Sequence, residues 1–144
     1  MCSGISIIDD DIGVCNVLEK TLEKNYPKVD VSTFTDYTKF LSNYEKHKHD
    51  IVILDYELNG ATALDLVQYI EAINPDVTIF IISTYFKHEG EFCIPKPFNA
   101  CRLSEKIFKK QLEYKGENIK KMMMLDAILN FIDSKADLRA QQIS

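Results

Sequence analysis

The sequence predicts an α/β fold, a doubly wound parallel sheet of five strands covered by helices. Short apolar runs rich in β-branched residues, typical of buried parallel strands, alternate with segments whose apolar residues recur at helical spacing. This alternation favours a parallel sheet with right-handed crossovers. Strands are predicted near residues 5–8, 29–34, 50–55, 77–83 and 91–95, and helices near 12–25, 36–46, 61–73 and 100–114. The first helix is expected to bury Val14, Val17, Leu18 and Leu22.

The connection between the fourth and fifth predicted strands is too short for a helix. Eight residues, 84–91, separate Ser83 from Phe92. A typical helix of about 11 residues with two connecting loops needs roughly 15 to 20. We therefore expect the fourth helix to be reduced or missing. Because so short a connection between parallel strands is awkward, we also expect the fifth strand to be displaced or weakly paired.

Composition and charge narrow the classes of protein that fit. The chain has 144 residues, 46% of them hydrophobic and 27% charged, which suits one globular domain with a real core. Its net charge of -5 argues against nucleic acid as a direct partner. No stretch approaches the ~20 apolar residues of a membrane-inserting helix, and the first predicted strand leaves no room for a signal peptide.

The cysteines indicate a reducing environment. The four are Cys2, Cys15, Cys93 and Cys101, and no two of them form a C-x-x-C pair. The three histidines are not spaced to complete a zinc site with them. We therefore expect free thiols and a cytoplasmic location.

Gly116 divides the chain into a domain at residues 1–115 and a tail at residues 116–144. The tail predicts an extra C-terminal helix, because its apolar residues follow helical spacing. These residues are Ile119, Met122, Leu125, Leu129 and Ile132. The methionine-rich face suits an adaptable contact. It could join two copies in a homodimer, cover the core where the fourth helix is missing, or dock on another protein.

Residues that can handle phosphate follow the predicted strands at their carboxyl ends. They are Asp9 and Asp10, Asp55, Ser83 and Lys96. Since the carboxyl ends of parallel strands meet at one edge of a sheet, we expect these side chains to converge. Crowded carboxylates need a cation, and hard oxygen ligands suit Mg²⁺. The ammonium and the hydroxyl would then bind phosphoryl oxygens, with Asp55 placed to attack phosphorus.

Each of these residues also has a simpler interpretation. Acidic side chains at residues 9–11 suit the N-terminus of a helix, and Asp11 is interpreted in that way only. Taken singly, Asp55 suits a turn, Ser83 a structural role and Lys96 a solvated charge. The joint pattern favours the phosphate site, because every member lies at the same predicted edge.

The order of these motifs resembles the receiver domain of two-component response regulators, a CheY-like family with a flavodoxin-like fold. The resemblance covers residues 4–114. Four motifs carry it: Ile7-Ile8-Asp9-Asp10-Asp11, Ile53-Leu54-Asp55-Tyr56-Glu57-Leu58, Ile81-Ile82-Ser83-Thr84 and Pro95-Lys96-Pro97-Phe98. They occur in the order, and on the predicted elements, that the family requires.

The resemblance implies roles for individual residues. Mg²⁺ would be bound by Asp10, Asp55 and the backbone carbonyl of Glu57, with Asp9 helping through water. Asp55 would accept phosphate from a sensor histidine kinase or a phosphotransfer protein. Lys96 would pair with the phosphoryl group, and Ser83 would turn to hydrogen-bond it.

The sequence departs from the family pattern at the switch. The aromatic residue that the family couples to the switch hydroxyl lies three residues before the lysine, which here is Cys93. Phe92 is one residue out of register and is therefore expected on the opposite face of the strand. Tyr85 lies two residues past Ser83, where side chains of the family modulate the access of water to the phosphoryl group. The phosphorylation chemistry is predicted to be intact and the output to be unusual.

The leading hypothesis is a stand-alone receiver in a phosphorelay, which signals by protein–protein contact and is not an enzyme beyond Mg²⁺-dependent self-phosphorylation. A degenerate receiver that acts without phosphate is the first alternative, favoured by the missing helix and aromatic residue. A haloacid-dehalogenase-like phosphatase is the second, because Asp9-x-Asp11 after an apolar strand resembles that family. That family requires a further acidic motif after the lysine, and it leaves Asp55 unexplained.

Overall fold

The structure, a computed structural model, describes residues 4–113. Its strands are β1 (Gly4–Ile8), β2 (Asp30–Phe34), β3 (Ile51–Asp55), β4 (Glu57–Leu58), β5 (Ala61–Thr62), β6 (Thr78–Ser83) and β7 (Cys93–Pro95). Its helices are α1 (Ile12–Asn25), α2 (Tyr37–His47), α3 (Ala63–Ile73) and α4 (Ala100–Glu113). The predicted tail and its five interface residues lie outside the described part of the chain, as does Cys2.

Five strands form one parallel sheet in the order β2-β1-β3-β6-β7. The chain therefore runs from the centre to one edge and returns to build the other half, which confirms the doubly wound architecture. Every residue of β1, β3 and β6 is buried, as expected for strands with helices on both faces. The register sets Asp55 beside Ile82 and Ser83 beside Pro95, so the carboxyl ends of these strands are level.

Side-chain caps define the helix starts. Asp11, Asp36 and Thr62 accept hydrogen bonds from backbone N–H groups of the first turns of α1, α2 and α3. Asn99 accepts likewise from the N–H of Arg102 in α4, at 3.1 Å.

Two local predictions were wrong. The helix expected from residue 61 begins at Ala63, because residues 57–62 form a small antiparallel hairpin, β4 and β5. Gly60 closes that hairpin with a φ of 96°, a conformation that favours glycine. In α1 the buried residues are Cys15, Leu18 and Leu22, whereas Val17 is 55% exposed. Leu18 and Leu22 are buried and Val14 packs against the core as predicted, so of the four residues only Val17 was assigned to the wrong side of α1.

The short fourth crossover is confirmed. Residues 84–92 contain neither helix nor strand, and the last strand has only three residues. That strand still pairs with β6 in parallel, with Cys93 beside Ile81. The segment that replaces the helix carries two buried rings, Phe86 and Phe92. These rings supply apolar surface that a crossover helix would otherwise provide.

Aromatic contacts and a polar network complete the packing. Tyr26, just past α1, stacks on Phe108 of α4 with ring centroids 3.6 Å apart. At the amino ends of the strands, His49 Nδ1 lies 2.9 Å from the Ser6 hydroxyl and its Nε2 lies 3.1 Å from Asp30. Within residues 4–113, no helix has both the length and the apolar character needed to cross a bilayer.

Candidate phosphoacceptor site

Three charged side chains meet at the carboxyl edge of the sheet. Lys96 Nζ lies 2.6 Å from Asp9 Oδ2 and 3.5 Å from Asp55 Oδ2. Asp9 follows β1, Asp55 ends β3 and Lys96 follows β7, so strand pairing alone brings together residues up to 87 positions apart. The peptide between Lys96 and Pro97 is cis.

Burial makes this cluster electrostatically costly. Asp9 is 1% exposed and Asp55 is 8% exposed. Burial and the neighbouring Asp9 charge raise the pKa of Asp55 to about 6, although the Lys96 charge opposes the shift. Burial lowers the pKa of Lys96, but its hydrogen bond to Asp9 and the charge of Asp55 outweigh that effect and raise it. Two carboxylates thus share one ammonium, which leaves an excess negative charge at the edge.

Asp10 takes a different position from Asp9. It is exposed, and its Oδ2 accepts a hydrogen bond of 3.0 Å from the backbone N–H of Asn59 in the hairpin turn. Asp9 Oδ1 accepts instead from the N–H of Asp11, at 2.9 Å. Asp11 caps α1 through Gly13, which agrees with its interpretation as a cap. Asp10 therefore lies at the rim of the site rather than in the charged cluster.

The residues present fit a small hard cation. Among residues 4–113, no three histidine, cysteine or acidic side chains already converge as a preformed metal cage. Mg²⁺ does not need such a cage, because it is usually bound through one or two carboxylates and keeps several waters. The excess negative charge of Asp9 and Asp55 favours a cation at this place. Glu57 lies two residues beyond Asp55, and its N–H points to Asp55 Oδ1 at 3.4 Å.

Ser83 ends β6 next to this cluster. Its Oγ is buried and accepts a hydrogen bond of 3.0 Å from the backbone N–H of Tyr85. Its carbonyl accepts from the N–H of Lys96 at 2.9 Å, and the preceding carbonyl, that of Ile82, accepts from the N–H of Tyr56 at 2.8 Å. The backbone of Ser83 is thus fixed to the strands that carry Lys96 and Asp55, while its hydroxyl contacts the following loop.

The predicted switch position is occupied by a buried thiol. Strand register places Cys93 on the same face of the sheet as Ser83, two residues along from Pro95. Phe92 lies on the other face, where its ring centroid is 5.4 Å from that of Phe80. Tyr85 is 45% exposed, at the outer side of the loop. The geometry therefore agrees with the departure expected at Cys93.

Sequence reasoning missed several residues around the site. Cys15 donates its thiol to the Asp9 carbonyl, with sulfur and oxygen 3.5 Å apart, and burial together with the Asp9 charge raises its pKa to about 11. An apolar groove of about 550 Å³ runs beside Lys96. Its apolar lining comes from Val14, Val17, Pro97 and Phe98. The Asn59-Gly60 turn signal could have suggested the contact with Asp10, but no sequence signal marks the groove.

A comparison with known protein families identifies the family to which this chain belongs. The model of the response regulator receiver domain matches residues 5–108. The chain belongs to the response regulator receiver domain family. Such domains are generally signalling modules rather than enzymes, interact with histidine kinases or phosphotransfer proteins, and typically bind Mg²⁺ at the acidic site.

Two curated relatives are yeast proteins named Stress response regulator protein 1. The protein from Lodderomyces elongisporus is 25% identical over 139 residues, which are 95% of this chain and 34% of that relative. The protein from Scheffersomyces stipitis is 37% identical over 60 residues, 42% of this chain and 21% of that relative. The chain thus spans about a third or less of the length of either relative.

Solved structures show the same fold. A CheY-like receiver domain protein from Methanospirillum hungatei superposes with a TM-score of 0.67 at 20% identity, covering 78% of this chain and 96% of that one. The BeF3-activated DrrB receiver domain gives a TM-score of 0.65 at 21% identity, covering 79% and 100%. At these identities the likeness establishes the receiver fold and no more.

Proposed function

We propose that this receiver domain accepts a phosphoryl group on Asp55 and uses the modified state to control a protein partner. The observation that supports this most strongly is the buried cluster of Asp9, Asp55 and Lys96, in which Lys96 contacts both carboxylates. An ion pair alone would not need the second carboxylate. A site for an incoming phosphoryl group does, because one carboxylate must react while the other holds a cation.

In the proposed reaction, Asp55 attacks the phosphorus atom of a phosphohistidine or of a small phosphodonor. A bond forms between the Asp55 carboxylate oxygen and phosphorus, and the bond from phosphorus to the donor breaks. The donor keeps that electron pair: the histidine nitrogen then takes up a proton from solvent, whereas the carboxylate released by acetyl phosphate leaves as an anion. With a pKa of about 6, Asp55 is largely ionised at pH 7 and therefore nucleophilic.

The neighbouring groups have separate tasks in this scheme. Lys96 would pair with one phosphoryl oxygen, and the hydroxyl of Ser83 would donate to another. Mg²⁺, bound by Asp10, Asp55 and the carbonyl of Glu57 with Asp9 helping through water, would supply charge neutralisation for the transferring group. The chain's own role is to hold these groups together at one edge of the sheet.

The phosphodonor would dock on the groove beside Lys96. Ile12 is 65% exposed and Val17 is 55% exposed, and both lie on the first helix next to the site. Exposed apolar side chains that border a reactive group mark a surface for another protein. We propose a histidine kinase or phosphotransfer protein as the donor. Cys15, Cys93 and Cys101 are present as thiols and not in disulfides, which agrees with the proposal of a reducing, cytoplasmic setting.

Intact-protein mass spectrometry after incubation with acetyl phosphate and Mg²⁺ tests the proposal. We expect a single phosphoryl adduct on the parent chain, no adduct on Asp55→Asn, and none when Mg²⁺ is chelated. Asp76→Asn is the matched control, since Asp76 is an exposed aspartate far along the chain from the cluster, and it should be modified like the parent.

Absence of the adduct in a folded parent chain would contradict the proposal, once rapid hydrolysis had been excluded with the stable analogue beryllofluoride. That result would favour the degenerate receiver, which the buried Cys93 at the switch position also supports. Continuous release of phosphate from small phosphomonoesters would instead favour a phosphatase.

A further inference from the structure

The segment that replaces the missing helix begins with a link between the site and a buried ring. The N–H of Tyr85 donates to Ser83 Oγ at 3.0 Å. The next residue, Phe86, is 4% exposed, and its ring centroid lies 5.8 Å from that of Tyr56. Tyr56 directly follows Asp55 and donates its N–H to the carbonyl of Ile82. A short chain of contacts therefore leads from the Ser83 hydroxyl to Phe86 and back to the residue after Asp55.

The far end of the same segment is fastened independently. The N–H of Gly90 donates to the carbonyl of Cys93 at 2.8 Å, and Lys106 on α4 donates to the carbonyl of Gly90. Lys106 also lies 3.6 Å from Glu89. Phe92 is held against Phe80 on the other face of the sheet. Movement at the start of the segment can thus occur without releasing its end.

Cys93 occupies the position at which receiver domains carry the aromatic side chain that is coupled to the switch hydroxyl. Cys93, on the same face as Ser83, is fully buried and too small to move between two pockets as a ring does. No helix in residues 84–92 fixes the backbone of Tyr85 and Phe86 through a ladder of hydrogen bonds. The buried ring of Phe86 therefore follows a hydrogen bond to the Ser83 hydroxyl, in a segment that no helix holds in place.

We propose that Tyr85 and Phe86 form the switch of this receiver, coupled to Asp55 through the Ser83 hydroxyl and read out by the contact between Phe86 and Tyr56. This inference rests on the proposed phosphorylation of Asp55. To donate to a phosphoryl oxygen, the Ser83 hydroxyl must rotate towards Asp55. The rotation carries away the acceptor of the Tyr85 N–H, and the backbone that places Phe86 against Tyr56 shifts with it.

The contacts in the unmodified state indicate how phosphorylation would change the position of Phe86. In the unmodified state the Tyr85 hydrogen bond and the burial of Phe86 support each other, since both depend on the same backbone turn. Loss of the hydrogen bond therefore weakens the burial of the ring as well. The modified state exposes apolar surface next to Tyr85, which already lies at the outer side of the loop. A partner that binds the phosphorylated form would contact this exposed ring.

Amide NMR of the whole chain, with and without Mg²⁺ and beryllofluoride, tests the inference. We expect hydrogen exchange at the Tyr85 amide to accelerate about fivefold or more on activation, the loss expected for one hydrogen bond. The nuclear Overhauser contact between the Phe86 and Tyr56 rings should weaken in parallel. The Gly90 amide, bonded to the Cys93 carbonyl, serves as an internal control and should not change.

Two variants separate the switch from the chemistry. Ser83→Ala lacks a donor to the phosphoryl group, so its adduct on Asp55 should form more slowly than that of the parent, and the change at Phe86 should be absent once the adduct is present. The matched control Thr84→Ala removes an exposed hydroxyl one residue away and should keep that change. Phe86→Leu should form the adduct as the parent does, while the Tyr56 resonances lose their response.

The outcomes are distinguishable. An adduct accompanied by a change at Tyr85 and Phe86 supports the switch. An adduct with an unchanged contact between Phe86 and Tyr56 overturns the switch and leaves the proposed function standing. Failure to form any adduct or to bind beryllofluoride overturns the proposed function, and the switch with it.

Discussion

The two ends of the central sheet both hold a polar cluster, and the two clusters are built in opposite ways. At the carboxyl edge, Asp9 and Asp55 crowd around one lysine. At the amino edge, Ser6, His49 and Asp30 form a linear network of two hydrogen bonds, 2.9 and 3.1 Å long. The residue types of this second cluster match a hydrolase triad. Ser6 is nonetheless buried in the middle of β1, where no substrate can reach it.

The two clusters differ in role: the amino-edge network stabilises the fold, whereas the carboxyl-edge cluster is typical of a reactive site. In the amino-edge network each buried polar atom has a partner, so the network ties β1, β2 and the loop before β3 together at little cost. In the carboxyl-edge cluster the pKa of Asp55 is raised, which means that ionised Asp55 opposes folding. Charge crowding of this kind is typical of reactive sites. Mutations at the carboxyl edge should accordingly change stability in a way that depends on Mg²⁺ or pH, whereas those at the amino edge should change stability without affecting phosphorylation.

Removal of Lys96 should have the largest effect on stability. In Lys96→Met the buried Asp9 and Asp55 lose their shared cation, so we expect the free energy of unfolding without Mg²⁺ to fall by about 3 kcal/mol. Added Mg²⁺ should restore part of the loss, because it neutralises the same carboxylates. Urea unfolding with and without Mg²⁺ measures both. Lys109→Met, at an exposed lysine of α4, is the control, and equal stabilities of the two variants would contradict the expectation.

Gly4→Ala should damage the amino edge alone. A Cβ at Gly4 would lie 2.4 Å from Cδ2 of the buried His49, so the network must shift. We expect a loss of about 2 kcal/mol by thermal or urea unfolding, with the phosphoryl adduct on Asp55 unchanged. At Gly13 the nearest atom to an added Cβ is the exposed Asp11 side chain at 3.1 Å, so Gly13→Ala should be nearly neutral. A loss of phosphorylation in Gly4→Ala would show that the two edges are coupled.

Ser6→Ala removes one hydrogen bond from the amino-edge network without adding volume. It leaves Nδ1 of His49 buried without its partner, and we expect a loss of about 1 kcal/mol. Ser42→Ala, at an exposed serine of α2 whose hydroxyl bonds to its own helix, provides the comparison. If both substitutions proved equally mild, the network would not stabilise the sheet.

The smallest effect concerns pH at the carboxyl edge. Asp55 has a pKa of about 6 in the folded chain against an ordinary value of 3.8, so in the folded state it keeps a proton that the unfolded chain loses. Stability contributed by Asp55 therefore rises as the pH falls from 7 to 5 and is lost as the pH rises again. With metal chelated, the parent should gain about 1 kcal/mol relative to Asp55→Asn between pH 7 and pH 5. If the free energies of unfolding of the two proteins changed equally with pH, the pKa of Asp55 would not be raised in the folded chain.

Much of the fold could be predicted because its signals are local or topological. Fully apolar strands and capping residues such as Asp36 fix the elements, and parallel pairing brings Asp9, Asp55 and Lys96 together wherever the helices lie. The absence of a helix between the last two strands could be predicted from the length of their connection alone, the eight residues 84–91. These features do not depend on the detailed packing of side chains.

The features that could not be predicted depend on the rotation of a helix about its axis and on the course of loops. Apolar spacing identified the buried face of α1 but not its border, since Cys15 packs as an apolar residue while Val17 is exposed. The contact of Asp10 with Asn59 requires the hairpin turn, and that of Phe86 with Tyr56 requires the course of an irregular loop. Nothing around His49 in the sequence indicates that it is buried between Ser6 and Asp30.

The stacked rings of Tyr26 and Phe108 matter when the chain is being made. They join the end of the first helix to the last described helix, across the 81 intervening residues 27–107. During synthesis the amino-terminal strands therefore emerge long before the helix that covers them. Until Ile107 and Phe108 have been synthesised, α1 packs on the sheet without α4, and the apolar surface that these two residues cover stays exposed to water, which favours aggregation of the incomplete chain.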